Sequence, residues 1–200
     1  MGRKKSYEPE DLLDAAVELF RAHGFAGTST QRLVETLDVN RNSLYSEFGS
    51  KQALFDAALR RYDQIVVTEV FGALEAPDAG LATIAALFDG FAAAAAGASS
   101  GLGCLLCNTA VELGGADPSG AGFVARYFDR VQRAFVHALD NARRAGDLAP
   151  AVDTVDEARL LTATTLGIFV LVRARAAPQT VQGAARVLRR NVEALRSQAA

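Results

Sequence analysis

The sequence predicts an all-α protein of about nine helices, and three observations carry that expectation. Half of its 200 residues are hydrophobic, with alanine and leucine, both strong helix formers, foremost among them. Apolar residues recur every three or four positions rather than every second one, and alternating β-branched runs are hard to find. Between the periodic stretches stand Gly, Pro, Ser, Asn and Asp, the residues that stop one helix and cap the next.

The first helix opens at Pro9, where a missing N–H costs nothing. Leu12, Leu13, Ala16, Val17 and Phe20 share one side of it, and Glu10, Asp11 and Asp14 lie toward the positive end of its dipole. Gly24 ends it. A second helix begins after Thr28 and Ser29; either hydroxyl can cap it, and Thr28 with Gln31 reads as a capping box. It runs through Leu33, Val34 and Leu37 and stops at Asp38. Asn40 caps a short third helix from Arg41 to about Phe48. Gly49 breaks the chain, and Ser50 caps a longer fourth helix over residues 51–74. After a loop at 75–80, five further helices are expected at about 80–97, 103–113, 119–145, 155–174 and 178–197.

The formal net charge of −2 excludes a general polyanion binder, so any nucleic-acid contact must rest on local placement of basic groups. Residues 1–62 hold equal numbers of Lys/Arg and Asp/Glu, which makes placement the whole of that case. The N-terminus is basic and then acidic, without the apolar run of a signal peptide, and the apolar stretches at 82–98 and 160–172 do not suit a bilayer. A cytoplasmic protein with no membrane partner is expected. Two histidines in unrelated helices and one Cys-x-x-Cys supply too little for a structural zinc site, so neither metal nor cofactor is expected. No glycine-rich phosphate loop or Ser–His–Asp set is present, and no strand precedes the cysteines; a helical enzyme is the lesser alternative.

Three short helices in about forty residues, the last two joined by a turn of about three residues, make a helix-turn-helix. Leu33, Val34, Leu37, Val39, Leu44 and Phe48 can close its core. The remaining face of the third helix then carries Arg41, Asn42, Ser43, Tyr45, Ser46 and Glu47, donors and acceptors suited to base edges and phosphates. The sub-pattern Ser43-Leu44-Tyr45-x-x-Phe48-x-Ser50-Lys51-x-x-Leu54, within a match over about residues 8–62, resembles the signature of the TetR family of repressors.

That resemblance implies a homodimer on double-stranded operator DNA, with a repressor role and release by a small molecule. It implies phosphate contacts from Tyr45 and Lys51, joined by Thr30 and Gln31 at the start of the second helix. Arg41, Asn42, Ser43 and Ser46 are the candidates for base reading, Arg41 serving a guanine or only a phosphate. Arg3, Lys4 and Lys5 form a basic arm for phosphate or minor-groove contacts. Two positions depart from the pattern: Asp38 stands where a glycine is usual, and Glu47 puts a carboxylate where a neutral residue is usual. The expected domains are 1–50, the helix-turn-helix with its arm, and 51–200, a helical regulatory and dimerisation domain joined to it through helix 51–74.

The resemblance also implies a dimer interface built from helices 155–174 and 178–197, which carry the apolar stripes such an interface needs. A ligand pocket is expected among the middle helices, with Phe88, Phe91, Cys107, Glu112, Phe123 and Tyr127 as candidate lining. Cys104 and Cys107 lie one turn apart near a helix N-terminus. They are read either as thiol sensors of oxidants or electrophiles, or as small buried hydrophobes.

Overall fold

A computed structural model describes residues 9–97, 101–113 and 118–197; the arm residues Arg3, Lys4 and Lys5 lie outside them. The helices are α1 (Pro9–His23), α2 (Thr30–Thr36), α3 (Arg41–Phe48), α4 (Lys51–Tyr62), α5 (Thr68–Phe71), α6 (Leu81–Ala94), α7 (Leu105–Leu113), α8 (Pro118–Arg144), α9 (Thr154–Arg173) and α10 (Pro178–Ala194). The fold is all-α.

The expected fourth helix is broken. After α4 the chain makes a π-helical turn at Asp63–Val67, a single α turn as α5, and a 3₁₀ turn at Gly72–Glu75. The break falls on Ile65, Val66, Val67 and Thr68, four consecutive β-branched residues that crowd the preceding turn.

The described residues divide into two units: those of Met1–Ile65 with Cys104–Val124, and those of Val66–Gly103 with Ala125–Ala200. This differs from a boundary at residue 50, because α4 packs back on α1. Leu54, Phe55, Ala58, Leu59 and Tyr62 of α4 are buried with Leu12, Ala16, Val17, Leu19 and Phe20 of α1. The Phe20 and Phe55 rings meet edge to face, centroids 4.9 Å apart. Each such side chain contributes roughly 1.5–3 kcal/mol through removal from water, so separating α4 from the N-terminal helices would open most of their core. The segment that carries α7, distant in sequence, joins the same unit.

An ion pair also ties α1 to α4. Arg61 donates to both carboxylate oxygens of Asp14, at 2.7 and 2.9 Å. The Arg61 guanidinium holds the Asp14 carboxyl below its ordinary value of 3.8. A carboxyl with a lowered folded-state pKa contributes stability above its unfolded pKa and loses it as pH falls through the folded one. Asp14→Asn is therefore expected to lower Tm slightly at pH 7. Melting wild type and variant from pH 7 down to acid should show the gap closing below the ordinary aspartate range. The effect is small because Asp14 is half exposed.

The second unit is built around Phe71, whose ring lies edge-on to Tyr127, Phe135 and Phe169, each with centroids 6.5 Å away. Tyr127, Val131, Ala134, Phe135, Ala138 and Leu139 form the buried stripe of α8 at spacings of three and four. α6 packs along α10, and at their edge Arg189 donates to Asp89 at 3.0 Å. α9 is capped by Asp153, whose side chain accepts from the Val155 and Asp156 N–H groups, both at 2.9 Å. Its inward face buries Ala158, Leu161, Thr162, Thr165 and Ile168. Its opposite face leaves Leu160 and Val170 exposed, as α10 leaves Val187.

Candidate nucleic-acid interface

The helix-turn-helix is held at each joint by a side-chain cap. Ser29 Oγ accepts the Arg32 N–H at 3.1 Å and starts α2. The capping box expected from Thr28 and Gln31 does not form. Thr28 is fully buried and its hydroxyl donates to the Gly24 carbonyl at 2.6 Å, closing the preceding turn, while Gln31 donates to Glu35 at 2.8 Å. At the α2–α3 turn Asp38 adopts φ 49°, the left-handed region that the usual glycine would enter freely and that aspartate tolerates better than most residues. Asn40 Oδ1 accepts the Ser43 N–H at 2.8 Å to open α3. Gly49, at φ 81°, ends α3, and Ser50 Oγ accepts the Ala53 N–H at 3.0 Å to open α4.

Leu33, Val39 and Leu44 are buried beneath these helices, so the polar side of α3 is the side left outward. Arg41, Asn42 and Ser46 are exposed, and Ser43, Tyr45 and Glu47 are half-buried. The Tyr45 hydroxyl shares a hydrogen bond of 2.7 Å with Thr30 Oγ1. The Arg41 guanidinium lies over the Tyr45 ring, 5.6 Å from its centroid. Thr30, Arg41 and Tyr45 are thus one contact chain across α2 and α3. Lys51, half-buried at the start of α4, holds its ammonium 4.2 Å from the centroid of the Phe25 ring. Phe25 has no place in the sequence reading of the interface. Its one legible signal is its position directly after the helix-ending Gly24, where an apolar residue commonly folds back.

A family model for bacterial regulatory proteins of the tetR family matches residues 12–58, and one for a Tetracyclin repressor-like C-terminal domain matches residues 80–188. The HTH-type transcriptional regulator YezE of Bacillus subtilis (strain 168) is 34% identical over 152 residues, covering 74% of this chain and 76% of YezE. The chain belongs to the TetR family. Like other members of the TetR family, it is a DNA-binding transcriptional regulator. ComR of Escherichia coli (strain K12), an HTH-type transcriptional repressor, is 28% identical over 175 residues, 86% of this chain and 82% of ComR. A TetR transcriptional regulator from Chloroflexus aurantiacus J-10-FL superposes with a TM-score of 0.83 at 25% identity, over 95% of this chain and 96% of that one.

In this TetR-family chain the six residues read as pocket lining fall into different units. Phe88 and Tyr127 are core residues of the second unit, and Phe91 there lies edge-on to Phe169 at 5.4 Å. Cys107, Glu112 and Phe123 belong to the unit that carries the helix-turn-helix. The Phe123 ring lies under the Arg60 guanidinium at 5.6 Å. Glu112 accepts the Phe25 N–H at 2.9 Å and the Ala26 N–H at 2.7 Å. The second unit of this TetR-family regulator also holds an open groove of about 640 Å³ lined by Glu75, Arg130, Arg133, Ala134, Val136 and His137. Arg130 clamps Glu75 there at 2.8 and 3.0 Å, and these hydrogen bonds, with the guanidinium charge behind them, keep the Glu75 carboxyl below its ordinary range.

Both cysteines are buried. Burial, with Cys104 nearby, pushes the Cys107 thiol up to about 11. At neutral pH that thiol is protonated, not the thiolate that attacks an oxidant or electrophile. Burial, then Cys104, also raises the Tyr62 hydroxyl far above its ordinary range. Among the described residues no helix is long and apolar enough to cross a membrane, and no cluster of three His, Cys, Asp or Glu could hold a metal.

Proposed function

We propose that this chain is a cytoplasmic homodimeric repressor. It places α3 in the major groove of each operator half-site and leaves the DNA when a small molecule binds its second unit. The observation that carries the DNA contact is the outward polar face of α3, with Arg41, Asn42 and Ser46 exposed over a core of Leu33, Val39 and Leu44. Tyr45 and Lys51 flank that face as phosphate contacts, Thr30 orienting the tyrosine hydroxyl. Repression is the role of the relative ComR, and regulated release is the reading that a Tetracyclin repressor-like C-terminal domain supports.

The test is Lys51→Ala on a duplex selected by the wild-type protein from a random-sequence library. A charged phosphate contact contributes about 1.5–3 kcal/mol, and a dimer loses it twice, so affinity should fall at least a hundredfold. The slope of log K against log salt should flatten by about 0.9 for each lost contact. Fluorescence anisotropy between 50 and 200 mM salt reads both (approximately the range over which such contacts are felt). Unchanged affinity and slope would sink the proposed interface.

A further inference from the structure

The carboxylate of Glu112 on α7 is spent in a way that the DNA-binding role leaves unexplained. Its two oxygens accept the consecutive backbone N–H groups of Phe25 and Ala26, at 2.9 and 2.7 Å, across 87 and 86 residues of sequence. These two amides lie in the bend between α1 and α2, where the chain has left one helix and not entered the next. A carboxylate that accepts two backbone donors makes charge-assisted bonds, about twice as strong as neutral ones. Gly24 makes room for it. A Cβ built at Gly24 would sit 2.4 Å from Glu112 Oε2, and Gly24 itself takes φ 73°, so a side chain there would be strained in conformation and would push the carboxylate aside.

The bend so gripped is the support of the interface. The Phe25 ring, whose amide Glu112 holds, is the surface under the Lys51 ammonium at 4.2 Å. The same ring rests on Phe55 at 4.9 Å, which fixes its depth. Three residues further on, Thr28 closes the bend onto Gly24, and Ser29 and Thr30 follow directly as the cap and first residue of α2. The bond of 2.7 Å between Thr30 and Tyr45 carries the same support to α3. α7 is further fastened to α1 by Asn108, whose amide donates to the Arg21 carbonyl at 3.4 Å.

We infer that Glu112 is a positioning residue for DNA binding: through the Phe25 amide it sets the ring that presents Lys51 to a backbone phosphate. An ammonium over an aromatic face is attracted by the ring quadrupole, with the stem of the lysine laid along it. Losing the carboxylate frees the bend, the ring tilts with it, and Lys51 meets the phosphate only after being reordered. Glu112 touches no DNA in this scheme. Its effect on affinity passes through Lys51.

The inference rests on the reading of Lys51 as a phosphate contact, and the experiment separates the two. Wild type, E112Q, K51A and the double variant are measured as full-length proteins on the library-selected duplex, with far-UV circular dichroism and a melt for each. E112Q keeps the size of the side chain but turns one acceptor into an N–H₂ that faces a backbone N–H. E112Q is expected to weaken binding about tenfold with a flattened salt slope, at least half of the K51A change. In the K51A background the same substitution should cost less than about threefold, since residues acting through one contact are not additive. An E112Q protein that binds like wild type, or one whose loss is carried in full into the K51A background, overturns the inference. The second pattern is what a merely structural role produces. If K51A itself leaves affinity and slope unchanged, the interface reading fails, and the inference with it. If E112Q loses the wild-type spectrum, F25L stands in, keeping Glu112 and removing the ring. Non-additivity with K51A again supports the inference, and full additivity overturns it.

Discussion

Val170→Glu is expected to yield monomers and to cost at least a hundredfold in operator affinity. Val170 is 46% exposed and Leu160 54% exposed on the outer face of α9, with Ala163 and Gly167 exposed between them at helical spacing. Val187, 43% exposed on α10, extends the same apolar character to the neighbouring helix. Large apolar side chains left in water at regular spacing, with small residues between them that admit close approach, suit a partner helix. A two-fold dimer brings each position near its own copy or its helix neighbour, so a glutamate introduced there is buried twice and repelled by its mate. Two linked half-site contacts gain roughly 10²–10⁴ in avidity over either alone, and that factor is what monomers forfeit. Sedimentation velocity on wild type and V170E gives the oligomeric state, and anisotropy on the selected duplex gives the affinity. A V170E protein that remains dimeric with wild-type affinity would place the interface elsewhere.

Phe71→Ala is expected to be the most damaging single truncation in the second unit. Phe71 is 1% exposed and meets three rings at once, from α8 and α9, each edge-on. Removing a fully buried phenyl group costs about 3–5 kcal/mol, because the transfer free energy and the cavity both count. The edge-on geometry adds to that for each lost pair. At a urea slope of about 2 kcal/mol/M the midpoint should fall by roughly 1.5–2.5 M. Far-UV circular dichroism along a urea titration reads that midpoint for wild type and variant. Phe71→Leu, which fills more of the space, should lose clearly less. Equal losses for the two variants would argue against a cavity at this position.

Much of the fold was legible in one dimension because helices announce themselves locally. Pro9, Ser29, Asn40, Ser50, Asp153 and Pro178 stand at or next to the observed helix starts, and Gly24 and Gly49 at helix ends. The left-handed turn at Asp38 agrees with the resemblance, in which a glycine is usual at that position. Where local rules misled, a neighbour competed for the same group. Thr28 reads as a cap but spends its hydroxyl on Gly24, which leaves Ser29 to cap α2. The single helix over 51–74 met four β-branched residues in succession and broke there.

The interface divides along the same line. The sequence alone determined which residues stand on the outward side of α3, because a period of 3.6 and a buried Leu33, Val39 and Leu44 leave that side no other place to go. Only tertiary structure decided what supports them. That Phe25 lies beneath Lys51, and that a carboxylate from residue 112 grips the bend holding Phe25, follows from α7 packing into the N-terminal unit. Periodicity and capping act over a few residues of chain. A contact across 87 residues is selected by shape and by unpaired backbone donors, which no local pattern records.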